Sequence, residues 1–165
     1  MYLNKIFKNN NGIGLIEVIA SIGLATVVVT SLVSLSIFTL RTSLKSKLLV
    51  EGSNFARREL ELVRAYRDSK SWSTFVTVMN ACTSSTKTPL CNITIDSTTG
   101  VLSVNTNGPN PKVEAMSVED VSIGFYVLPQ PDQNVIKVNV VSQWKEGDQI
   151  KNTTLRGDFT NWQQK

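Results

Sequence analysis

Histidine is missing from this 165-residue chain altogether, and cysteine occurs only twice. The first absence excludes a Ser-His-Asp triad. With so few thiols, it also argues against a zinc centre or an imidazole acid–base pair. Proline is absent up to residue 88, and between residues 13 and 70 the only glycines are Gly14, Gly23 and Gly52. Little there would interrupt a helix. Charge is absent from Val18 to Leu40, a run of 23 residues. There is no glycine-rich phosphate loop. Two Ser-x-x-Lys matches, Ser84 to Lys87 and Ser142 to Lys145, lack the Ser-Asp-Asn and Lys-Thr-Gly elements that would make them catalytic. The chain reads as a non-enzyme without metal or cofactor.

What is present begins with Gly12-Ile13-Gly14-Leu15-Ile16-Glu17, which opens the apolar run. A bilayer-crossing helix needs about 20 residues and a secretory h-region only about 7–15, so this segment is long enough to span. Glu17 is the single acid within it. A carboxylate in lipid costs roughly 2.5–3.5 kcal/mol or more, which makes Glu17 a functional candidate by default. The net charge of +4 is unevenly placed. Residues 1–12 carry Lys5 and Lys8 and no acid; residues 41–70 hold eight Lys/Arg against four Asp/Glu; residues 71–165 hold seven against eight. The basic excess therefore belongs to a stem beside a membrane surface rather than to a patch on the rest, and nucleic-acid binding is not favoured.

After Arg41 the pattern becomes helical. Leu44, Leu48, Phe55, Leu62 and Tyr66 recur at spacings of 4, 7, 7 and 4, with Gly52, Ala56 and Val63 close to the same face. These are expected to be core, and Glu59 is the odd member of that face. One helix of about 55 residues is predicted, apolar over 13–40 and amphipathic over 41–72. Residues 73–165 read as a β head. Asn92–Asp96 and Val101–Asn105 flank a Ser97-Thr98-Thr99-Gly100 turn, followed by strands over Ser122–Leu128, Asn134–Trp144 and Gln149–Phe159. Lys145-Glu146-Gly147-Asp148 is expected to be a four-residue turn. Ile136, Val138 and Val140 alternate on one side and should face the helix. The fold class is α+β: a long N-terminal helix packed on a C-terminal antiparallel sheet. Cys82 and Cys91 are nine positions apart. Outside the cytoplasm such a pair favours a disulfide; in a reducing compartment it would be two thiols.

The glycine, the apolar run and a glutamate fifth after the glycine resemble the type IV prepilin signature. Two further stretches resemble minor-pilin-like proteins: Ala56 to Trp72, with its Val63-Arg64 and Arg67-Asp68-Ser69, and Thr154 to Trp162, similar to their closing strand. The resemblance implies a leader over 1–12 cut between Gly12 and Ile13, N-methylation of Ile13, and assembly through Glu17. In the last step the carboxylate of one subunit neutralises the new amine of the next. It departs from the family's habit at Ile13, where phenylalanine or methionine is usual, and at Gly14, where threonine is common. The implied partners are other pilin subunits, a leader peptidase/methylase and an inner-membrane assembly platform. The implied location is a single-pass inner-membrane protein with a cytoplasmic leader, then an extracytoplasmic filament. Pilus and secretion pseudopilus are not separated by these residues. Two other readings stay open: a single-pass membrane protein with an extracytoplasmic binding head, and a DNA-uptake pilin that contacts DNA.

Overall fold

A computed structural model describes residues 13–106, 111–116, 120–130 and 134–161. The chain divides into two units, Met1–Leu44 and Lys45–Lys165. Helix α1 (Ile13–Ser69, 57 residues) supplies the described part of the first and opens the second.

In the first unit the helix is rich in β-branched Ile, Val and Thr, which are indifferent helix formers in water. Its polar side chains are dealt with locally. Every serine and threonine from Ser21 to Thr39 donates its hydroxyl to a carbonyl three or four residues back, at 2.7 to 2.9 Å. A helix satisfied in this way presents no unpaired hydroxyl to a hydrocarbon surrounding.

In the second unit α1 lies on a sheet. A second helix, α2 (Trp72–Ala81), follows after a two-residue break. Ser71 caps it, accepting the Thr74 N–H. Its buried Phe75, Val76 and Met79 recur at helical spacing. Strands β1 (Asn92–Ile95) and β2 (Leu102–Asn105) form a hairpin. Strands β3 (Lys112–Ala115), β4 (Asp120–Val127), β5 (Val135–Glu146) and β6 (Gln149–Thr160) form an antiparallel meander in the order β3-β4-β5-β6. One core joins Ala56, Leu60, Val63 and Tyr66 of α1 to Phe75 and Met79 of α2. The same core takes in Ile123 and Phe125 of β4, Ile136, Val138 and Val140 of β5, and Phe159 of β6. Two glycines mark the closest approaches. A Cβ on Gly52 would lie 2.5 Å from the Trp144 indole, and one on Gly157 would lie 2.7 Å from Leu60 Cδ1.

The fold class is as expected, and several details differ. Leu44 is 51 % exposed and belongs to no core; it falls in the first unit, before the sheet begins to cover the helix. Phe55 and Leu62 lie at the margin, and the buried stripe runs instead through Leu48, Ala56, Leu60, Val63 and Tyr66. Helix α2 stands where only β structure was expected, and the short β3 was not foreseen. The β5–β6 turn has two residues rather than four. Gly147 adopts a φ of +62°, which lets pairing continue to Glu146 and Gln149. On β5 burial is continuous from Val138 to Ser142, taking in Asn139 and Val141 of the other side, and includes Trp144.

Candidate functional site

The expected processing site is only partly in view. Gly12 and the rest of the expected leader lie outside the described residues, as does Trp162. Ile13 is the first residue of α1, and Glu17 follows one turn later, exposed, its backbone carbonyl accepting the Ser21 hydroxyl. From Leu15 to Leu40 every Leu, Ile, Val and Phe is between 48 and 72 % exposed, on all sides of the helix. A helix that is apolar all round belongs in a membrane or among other helices, because water would otherwise bathe the entire surface. The described chain thus contains a helix long and apolar enough to cross a bilayer.

The second unit fixes the stem half of α1 by polar contacts as well as by the core. Glu59 is 2 % exposed, and its Oε1 accepts the Ile93 N–H of β1 at 2.7 Å. Burial pushes its carboxyl above the usual range, opposed by that hydrogen bond and by the cations Lys112 and Arg58. Arg58 pairs with Glu114 of β3, which Lys112 also approaches at 2.7 Å. Arg67 donates to the Thr160 carbonyl at the end of β6 at 2.6 Å, and Lys45 sits 3.0 Å from Glu146 of β5. The sequence marks Glu59 only as an acid between Phe55 and Val63 on an otherwise apolar face.

Cys82, at the C-cap of α2, and Cys91, just before β1, are joined by a disulfide. Both ends of the loop are also laddered to β4. The Val127 N–H donates to the Cys82 carbonyl at 2.9 Å, and the Phe125 N–H to the Cys91 carbonyl at 2.7 Å. The loop thereby extends the sheet beyond β3, and Gly124 allows it close: a Cβ there would lie 3.0 Å from the Cys91 carbonyl oxygen. At the β1–β2 hairpin, Asp96 accepts the N–H groups of Thr98 and Thr99, which hold its carboxyl below the usual range.

The described residues of the second unit line at least two open grooves. One, of about 400 Å³, is lined by Glu51, Asn54, Phe55, Arg58, Ala115 and Met116. The other, of about 270 Å³, lies beside Trp144 and the β5–β6 turn. Among the described residues, no three His, Cys, Asp or Glu side chains converge as a metal site would need. Of the Ser-x-x-Lys matches, Ser142 is fully buried, and the Ser84 hydroxyl is shared with Thr86 and the Thr88 N–H. No family model, curated protein or solved structure matches this chain.

Proposed function

We propose that this chain is a type IV pilin-like subunit, a minor pilin or pseudopilin, that serves assembly rather than catalysis. In this reading it inserts with residues 1–12 on the cytoplasmic side, where Lys5 and Lys8 favour retention. A leader peptidase cuts between Gly12 and Ile13 and methylates the new Ile13 amine. Other pilin subunits then take up the apolar half of α1 at an inner-membrane platform, while the β head remains outside. Glu17 of one subunit neutralises the Ile13 amine of the next, so that two charges enter the apolar bundle as a pair.

The observation that carries the reading is a lone carboxylate, one turn into a helix whose apolar surface is exposed on every side and whose hydroxyls are all internally paired. An ordinary anchor has no use for that acid. The decisive measurement is the intact mass of protein purified from membranes. Loss of Met1–Gly12, with or without one added methyl group, is expected. A chain that retains its leader, or is cut far downstream near Ala25, overturns the proposal in favour of a plain single-pass membrane protein.

A further inference from the structure

Among the described residues, β6 closes one end of the four-stranded sheet and pairs only with β5. Gln149 faces Glu146 across the two-residue turn, and hydrogen-bonded pairs alternate along the hairpin from there. The odd-numbered residues of β6 therefore bond to β5. The N–H and C=O of Ile150, Asn152, Thr154, Arg156, Asp158 and Thr160 point away from it. Two contacts follow that parity: the Asn161 N–H donates to the Asn134 carbonyl, and the Thr160 carbonyl accepts Arg67. Arg67 closes only the last of these positions. From Ile150 to Asp158 the outward backbone groups have no partner among the described residues. The opposite end of the sheet has no comparable run, because β3 is four residues long and the disulfide-closed loop continues beyond it.

Helix α1 runs beside this edge, where Leu60 meets Gly157 and Arg67 reaches Thr160. Helical spacing puts Arg57 and Arg64, three before and four after Leu60, on the same flank. Glu61 answers Arg64 and Asp68 answers Arg67. On the strand itself Asp158 answers Arg156. Two exposed charges are left over, and both are cations. Arg57 has no ion pair among the described residues, and Lys151, whose side chain is on the helix side of the sheet, touches only the neutral Gln149 Oε1 at 2.8 Å.

We infer that the β6 edge is a docking site at which a partner protein adds an extended acidic segment as a further strand. Main-chain bonds from that segment satisfy Asn152, Thr154, Arg156 and Asp158 as Arg67 satisfies Thr160, and its acids on the helix side meet Arg57 and Lys151. The same two cations disfavour an uncharged or basic strand, the usual way in which a sheet edge is guarded. A second copy of this chain fits less well, because β6 laid against β6 brings the unmatched cations together with no unmatched acid to answer them. Every residue named lies in the second unit, so the inference does not depend on the membrane or pilin reading.

The test uses the full chain in detergent and, as probe, a fluorescent peptide alternating glutamate with valine. Anisotropy should show saturable binding, and hydrogen exchange should slow at the amides of Thr154, Arg156 and Asp158. A peptide with lysine for glutamate should not bind, nor should the glutamate peptide when N-methylated at alternate residues. Thr154→Pro should abolish binding; it removes an N–H that faces away from β5, so the hairpin keeps its own ladder. Should that variant fail to fold, the N-methylated peptide blocks the same bonds from the other side. Arg57→Gln with Lys151→Gln should weaken binding about tenfold, the effect of two exposed ion pairs. Lys47→Gln with Lys87→Gln removes the same charge elsewhere and should leave it unchanged. Absence of saturable binding overturns the inference, as does equal binding of the lysine or N-methylated peptide. Equal weakening by both double variants, or protection at the amides of β3 instead of β6, also overturns it. Self-association of the peptide-free chain that Thr154→Pro abolishes assigns the edge to a second copy and overturns the acidic partner.

Discussion

From Leu15 to Leu40, α1 exposes every large apolar side chain it has. From Leu48 to Tyr66 the same helix buries one stripe and turns Arg57, Arg64 and Glu61 to solvent. The two regions also treat polar groups differently. In the first, hydroxyls return to the helix's own carbonyls; in the second, Glu59 reaches across to Ile93, 34 residues away in the chain. The second region is specified by its own fold, since its sheet and α2 supply the partner. The first has no partner within its unit among the described residues, so its covering comes from lipid or from other helices. One helix therefore carries, on successive stretches, a part covered by the chain's own sheet and a part whose apolar surface is left exposed.

The largest effect expected separates those two roles with one residue type. Phe75 is fully buried, with the rings of Tyr66, Trp72 and Phe159 between 5.6 and 6.4 Å away. Phe75→Ala should destabilise the head by about 3–5 kcal/mol. Phe38, 67 % exposed, should leave head unfolding unchanged when truncated. Thermal unfolding followed by near-ultraviolet circular dichroism in detergent reads both variants, and comparable Tm losses would erase the distinction.

Glu17→Leu approaches the comparison from the other side. On the proposed reading it leaves the Ile13 amine unpaired in the bundle, and breaking such a pair typically costs about 3–5 kcal/mol. Insertion and cleavage should survive while incorporation into filaments falls sharply; the head's Tm should not move. The fraction of mature protein in sheared filaments against that left in the membrane is the measurement. Equal fractions for wild type and variant would show that this acid does not carry assembly.

A smaller contrast uses two glycines of α1. A Cβ at Gly52 would press on the Trp144 indole, while one at Gly23 would meet nothing within 4 Å. Overpacking costs about 1–3 kcal/mol, and the helix preference for alanine returns about 1 kcal/mol. Trp144 is buried and cannot swing aside, so Gly52→Ala should lower head stability by a net of up to about 2 kcal/mol. Gly23→Ala should leave it unchanged. A Gly52→Ala head as stable as wild type would mean that the stem and β5 are not in close contact.

Much of this arrangement was legible in the residues. The long strands were readable because Ile136, Val138 and Val140 alternate and because Gly147 and Gly100 mark turns; both glycines adopt positive φ. Helix α2 was not, because Thr74, Val76, Thr77 and Val78 are β-branched and favour strand on propensity. What overrides them is the burial of Phe75, Val76 and Met79 together with the Ser71 cap. Strand β3 is four residues long, too short for a period to show. Leu44 continued the apolar spacing into a stretch that the sheet does not cover, which no local pattern could reveal. The role of Glu59 depends on a backbone N–H far along the chain, and is invisible to any reading of its neighbours.

Glu59 also supplies the subtlest test of how the second region holds together. Glu59→Gln keeps an oxygen for the Ile93 N–H and removes the charge, whereas Glu59→Leu would leave that N–H unpaired, a loss of about 1–3 kcal/mol. The sign of the pH effect follows from the direction of the shift. Because the folded-state pKa is raised above 4.5, the folded head holds this proton more tightly than the unfolded chain does. The contribution of Glu59 is thus fully present below its unfolded pKa and is lost as pH rises through the raised one. Asp96, whose pKa is lowered, acts in the opposite sense and loses its contribution as pH falls. Comparing wild type with Glu59→Gln cancels Asp96 and every other shared group. The variant should match the wild-type Tm at low pH and exceed it, by a small margin, once the wild-type carboxyl has ionised. A Tm difference that stays constant from the acid side of the unfolded pKa to neutrality would mean that Glu59 ionises in the folded head as it does in water. The Ile93 N–H and the cations Lys112 and Arg58 would then fully offset the cost of burying the carboxylate.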